Sequence, residues 1–207
     1  MSFYSHITLR KVGAPLIPYE ATDYSTPDQR KVTRLRYDEE TITGYQNFRS
    51  LDELVCQFGK PADNPNFDPG KESSEWSNPK KLGRLLDHSD VCAIAQQMEP
   101  LYKVLLPLPD KALEAVSEGD WGVLEAILGT KAKAKALEKA IDAAAYGTPF
   151  YLCSDSFFTH KFMDAARTFI FLAGCELPIV GSEHAYNEEE LKEKPDKHNL
   201  LVYYYGG

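Results

Sequence analysis

Residues 150–174 read FYLCSDSFFTHKFMDAARTFIFLAG. Phe158, Phe162, Ala165, Phe169 and Leu172 recur at the spacing of one helical face, and Met163, Ala166, Ile170 and Ala173 lie beside them, so well over half of the helix circumference is apolar. Such a helix belongs in the middle of a core. The polar triplet at 154–156 supplies caps for its start, and Gly174 supplies a left-handed stop. Phe150 to Cys153 reads as a short buried strand that feeds the helix. Further strands are expected at 177–180 and 200–205, with a short helix capped by Asn187 between them. The last sixty residues or so, 148–207, therefore read as a β-α-β-like core.

Working outward, residues 1–59 form a β-rich segment, because Thr, Tyr, Val and Ile dominate and prolines punctuate it. A strand is expected near residues 3–12. A hairpin is expected next, with arms at 31–37 and 41–48 joined through Asp38, Glu39 and Glu40. Ser50 and Glu53 have the spacing of a capping box, and Gly59 is placed to end that helix. Residues 60–81 carry Pro61, Pro65, Pro69 and Pro79, which block both helix and ladder hydrogen bonding, so a long loop is expected there. Within it, Phe67 and Trp76 are large apolar side chains in polar surroundings, and they are the candidate binding residues. Residues 82–147 read as helical: Val91, Ile94, Ala95 and Met98 share one face behind a cap at Ser89. Pro100, Pro107 and Pro109 cut the next stretch into short pieces. Asp120 caps a helix that Gly129 ends, and Thr130 opens an alanine-rich, lysine-studded one that stops at Gly147. The whole reads as an α+β protein, 1–207, in a single domain.

The chain has 207 residues, 43% of them hydrophobic, and a net charge of −8. Lys and Arg number 12 against 15 Asp and Glu up to residue 100, and 11 against 16 after it, so neither half is basic. A protein that held nucleic acid by displacing its counterions would need a positive surface, so nucleic acid is an unlikely partner. The exceptions are the stretch from Arg30 to Arg36 and the lysines at 131, 133, 135 and 139, which read as solvated faces. No apolar run reaches the length of a membrane-crossing helix, and no signal-peptide pattern opens the chain. With four scattered cysteines, none in a Cys-x-x-Cys pair, a reducing cytoplasm is the expected location and no structural zinc site is expected.

Candidate chemistry is sparse. Cys153 stands between a strand and the start of a helix, where backbone amides favour a thiolate, and His160 with Asp164 four residues on is the companion pair. Asp155 beside the thiol opposes its ionisation, and no nucleophile signature surrounds it. A hydrolase-type enzyme built on Cys153, His160 and Asp164 is the alternative reading. His6-Ile7-Thr8 is half of the paired His-x-Thr arrangement that grips a phosphate between two strands, and none of the other histidines begins a second copy. Glycine-rich phosphate loops and the G-x-S-x-G elbow are absent from the sequence. Neither a metal site nor a cofactor is expected. The terminal Gly206-Gly207 resembles a modifier tail in those two residues alone. The main expectation is a non-catalytic binding or regulatory protein, of the inhibitor, immunity or bacterial or phage accessory type, that meets another protein through aromatic surface anchors.

Overall fold

The computed structural model describes residues 4–11, 13–23, 28–62, 83–151, 153, 158–174 and 199–205. Its elements are β1 (Tyr4–Lys11), β2 (Leu16–Asp23), β3 (Arg30–Tyr37), β4 (Glu39–Gln46), α1 (Arg49–Val55), β5 (Lys60–Pro61), β6 (Gly83–Leu86), α2 (His88–Leu105), α3 (Asp110–Glu118), α4 (Trp121–Leu128), α5 (Lys131–Ala145), α6 (Phe158–Gly174) and β7 (Asn199–Tyr205). The protein is α+β, as its sequence predicts. Five strands form one antiparallel sheet in the order β4-β1-β7-β6-β5, and β2 and β3 form a separate pair.

Alternation along β1 and β7 gives the sheet two distinct faces. Ile7, Tyr45, Leu86, Leu201 and Tyr203 point into the main core, where they meet Leu51 and Leu54 of α1, the row from Val91 to Leu105 on α2, and the apolar stripe of α6. The α6 stripe is where the sequence places it: Phe158, Phe162, Ala165, Phe169 and Leu172 are all buried. Phe48, Phe150, Phe158 and Phe162 pack ring on ring, with Phe150 and Phe162 edge to face at 4.8 Å between centroids. Each such ring contributes roughly 1.5–3 kcal/mol of burial before entropy is subtracted. Tertiary polar contacts fix the ends of α6. The Thr159 amide, unpaired within its own first turn, donates to Ser117 Oγ of α3 at 2.9 Å, and the Thr159 hydroxyl donates to the Leu113 carbonyl at 2.7 Å. At the other end His88 Nε2 lies 3.1 Å from the Ala173 carbonyl, which can only accept, so the imidazole donates.

Several local expectations give way to tertiary structure. The predicted hairpin between 31–37 and 41–48 does not form: β3 pairs with β2 and β4 pairs with β1, so the two are successive halves of one ribbon edge bent at Asp38. Glu39 and Glu40 belong to β4 rather than to a connector. Ser50 lies inside α1, which starts after Phe48 without a side-chain cap. Asp87, not Ser89, caps α2, in a reciprocal box with Asp90. Pro100 is accommodated within α2, which runs on to Leu105. Lys60 and Pro61, expected in the long loop, pair with Leu85 and Arg84. Phe150 and Tyr151 form a turn, not a strand. Asp120, Gly129 and Thr130 play their predicted capping parts. The expected strand at 177–180 and the helix capped by Asn187 lie outside the described residues.

Candidate functional site

The β2–β3 pair is an extension of the β1–β4 pair. β1 leads through a turn with Gly13 at φ +73° into β2, and β3 returns through Asp38 into β4. The Asp38 amide donates to the Pro15 carbonyl at 3.3 Å and ties the two strands together at the bend. Beyond the bend the ribbon projects as an arm that pairs with nothing but itself among the described residues. Its side chains are mostly exposed, including Leu16 at 43% and Leu35 at 38%.

Where arm and sheet meet there is a cleft of about 340 Å³. Its floor is the sheet face turned away from the helices, which carries His6, Thr8 and Tyr204. Its bend contributes Asp38 and Glu39, and its far wall is Tyr19, Arg36 and Tyr37 of the arm. Strand register explains the floor. His6 stands opposite Tyr204 on β7 and Gly44 on β4, Thr8 opposite Val202 and Thr41, and Arg10 opposite Glu39. A bulge between Ile7 and Thr8 absorbs one extra residue of β4 and so keeps Thr41 and Glu39 on this face.

Glu39 is the hub. Its Oε2 accepts the Thr8 hydroxyl at 2.7 Å, and its Oε1 accepts the Tyr204 hydroxyl at 2.7 Å. Arg10 Nε lies 3.7 Å from Oε1, close enough for charge attraction but without a hydrogen bond, and it is buried. The Arg10 guanidinium lies 3.9 Å from the centre of the Tyr37 ring, so the first residue inside the arm is clamped onto the sheet. His6 stacks on Tyr204 with centroids 5.0 Å apart. Burial pushes the His6 imidazole below its ordinary value, against the pull of the Glu39 charge, and keeps it neutral at neutral pH. Burial and the bond to Glu39 raise the Tyr204 phenol. Carboxylate, phenol and guanidinium are thus engaged with one another, an arrangement that holds the cleft's shape and leaves its arm wall available for contact.

The residues picked from the sequence are distributed elsewhere. Cys153 is half-buried against the main core, its sulfur 2.9 Å from the Ser50 hydroxyl, a contact between residues 103 positions apart that no local pattern signals. His160 and Asp164 share one face of α6, and the Asp164 charge is felt by the Tyr45 hydroxyl on the sheet. Phe67 and Trp76 lie outside the described residues. Among the described residues no group of His, Cys, Asp or Glu is arranged to hold a metal ion, and no helix is long and apolar enough to cross a membrane. His6 and Thr8 do share a face of β1, but the strand beside them presents Val202 and Tyr204, so no second His-x-Thr stands next to the first. Of the cleft residues the sequence singled out the His6 triplet as candidate chemistry and Leu35 and Arg36 as part of the basic stretch from Arg30 to Arg36. On β1 the alternation of His6, Thr8 and Arg10 with Ser5, Ile7 and Leu9 marks the face turned from the core, whereas the residues of the arm, the bend and β7 carry no local signal that they join it. The chain matches no family model, no curated protein and no solved structure.

Proposed function

We propose that the protein is a non-catalytic binding or regulatory protein that engages a protein partner through the β2–β3 arm and the cleft at its base. One observation carries this reading: a two-stranded ribbon, clamped at its root by Arg10 on Tyr37, projects from the sheet with Leu16 and Leu35 exposed on it. An isolated ribbon of two strands is marginally stable in water, and its unpaired edges invite aggregation unless something covers or restrains them. The register places Leu16 and Tyr37 opposite each other, and Pro18 and Leu35 likewise, so the apolar side chains gather on one face near the root. Rigid presentation of an apolar and aromatic surface keeps the ordering cost of binding low.

Photo-crosslinking tests this. A benzophenone amino acid in place of Leu35 is expected to give discrete adducts in extract of the source organism, and the same group in place of Lys135 on the exposed face of α5 is expected to give none. Equal labelling from both positions would remove the arm from the reading.

A further inference from the structure

The face of the arm opposite Leu16 and Leu35 holds its own chemistry. In the β2–β3 register Ile17 stands across from Arg36, Tyr19 from Arg34 and Ala21 from Val32, so these six side chains share one face. The other cations of the arm are matched within it. Lys31 Nζ is 3.0 Å from Glu20 Oε1, and Arg30 lies 3.5 Å from Asp28. Among the described residues Arg34 and Arg36 have no carboxylate: both are exposed, and Arg36 does no more than lie over the Tyr19 ring, 5.5 Å from its centre. Two guanidinium groups two residues apart on one strand are separated by about 6.7 Å along it. In a chain of net charge −8, this is a local reversal of sign.

We propose that this face binds an extended acidic segment of a protein partner, with two carboxylates two residues apart meeting Arg34 and Arg36. The inference rests on the arm being the binding element and adds the chemistry of what it binds. An extended partner repeats its side chains on one side every second residue, the period of Arg34 and Arg36, so both pairs form in one register. Guanidinium forks take carboxylates through two parallel hydrogen bonds, and Tyr19, across from Arg34 with Arg36 over its ring, offers a hydroxyl beside them. Ile17 and Val32, both half-buried, accept apolar residues flanking the acids. A nucleic acid fits less well. Its affinity comes from many phosphate contacts, whereas only two arginines of the arm are unmatched among the described residues.

The test uses the full chain and a fluorescein-labelled peptide of valines with two glutamates two residues apart, read by fluorescence anisotropy. The controls are the same peptide with glutamines and a single-stranded oligothymidine. Saturable binding of the glutamate peptide is expected, weakened at least ~10-fold by the double substitution Arg34→Gln and Arg36→Gln, by high salt, and by glutamine in the peptide. Both arginines are exposed, so the variant should keep the wild-type circular dichroism spectrum and thermal midpoint. Equal binding of the glutamine peptide, or tighter binding of oligothymidine, overturns the acidic-segment assignment. The crosslinking arm separates this from the broader reading. Adducts at position 35 that persist undiminished in the double variant leave the arm as the binding element and overturn its acidic ligand. Absence of adducts overturns both.

Discussion

Asp52 Oδ1 on α1 accepts a hydroxyl from Ser5 of β1 and another from Tyr203 of β7, each at 2.6 Å, so one carboxylate fastens a helix to two neighbouring strands. Tyr203 is fully buried. Tyr203→Phe keeps the ring and removes one hydroxyl from a charged acceptor, which should cost about 1.5–3 kcal/mol. Urea unfolding should show a lower midpoint with unchanged slope; no change in midpoint would mean that Asp52 gains nothing from the phenol. The same tyrosine belongs to an alkaline response. Burial, followed by the nearby Asp52 charge, raises Tyr203, and burial raises Tyr45 to about 12, the Asp164 charge adding to it while the Thr168 hydroxyl bond opposes it. The neutral phenol is the favoured form in the fold. The stabilisation is therefore complete below about pH 10, where an unfolded tyrosine ionises, and is lost as pH climbs through the folded values. Melting temperature should fall between about pH 10 and 12, and Tyr45→Phe should flatten that fall. Phenolate absorbance rising ahead of unfolding would contradict it.

Elements show how conformation and context divide the work. A Cβ on Gly59, at φ +70°, would stand 2.4 Å from the Leu85 carbonyl oxygen, whereas one on Gly13, at φ +73°, would meet nothing within 4 Å. Gly13→Ala should cost only the left-handed strain, about 1–2 kcal/mol, while Gly59→Ala must also push β6 away and should cost more than about 3 kcal/mol. Calorimetric midpoints of the two variants make the comparison, and equal losses would mean that β6 yields freely beside Gly59. The arm is separable in the same sense. Arg10 lies opposite Glu39, so replacing residues 11–38 by a two-residue Asn-Gly turn should join β1 directly to β4. The body should stay folded and lose chiefly the Arg10–Tyr37 contact, about 0.5–2 kcal/mol; collapse of the near-ultraviolet spectrum would show that the arm supports the sheet. The elements legible in the sequence are those whose signal is local: the apolar stripe of α6, the caps at Asp120 and Thr130, the run of β-forming residues in β1. Strand partnership was not legible, because Lys31 to Tyr37 and Thr41 to Gln46 have good β-forming residues whichever strands they pair with, and only tertiary packing sends β4 to β1. Ser50 fails as a cap for the same reason: burial beside Cys153 outweighs a local hydroxyl-to-amide bond. The cleft was illegible since its floor joins β1 to β7, nearly two hundred residues apart along the chain, and its walls come from the bend and the arm.

At the scale of the molecule, the buried apolar contacts among the described residues fall into two bodies of unequal strength. The main one joins the sheet to α1, α2 and α6 through large side chains such as Phe162, Phe169, Met98 and Tyr203. The second, among α3, α4 and α5, has Ala112, Ala115, Leu124 and Ala134 as its buried members, so among the described residues Leu124 is its one large fully buried side chain, with Leu108, Val116, Leu128 and Leu137 packed half-buried around it. Alanine side chains bury little area, and removing Leu124 takes away the one fully buried side chain of α4, whose outer face leaves Trp121, Val123 and Ile127 exposed. Leu124→Ala and Phe169→Ala would each remove roughly 2–5 kcal/mol of packing, yet they should differ in reach. Local openings draw on the contacts that a cooperative unit breaks, so amides of α4 and its neighbours should exchange through partial unfolding while those of α2, α6, β1 and β7 wait for the global event. Hydrogen exchange by mass spectrometry should show Leu124→Ala speeding exchange in peptides covering 110–140 with α6 unchanged. Phe169→Ala should speed exchange everywhere. Uniform acceleration by Leu124→Ala would mean that the hydrogen bonds from Thr159 to Leu113 and Ser117, which bridge α6 and α3, couple the two bodies into one unit that unfolds together.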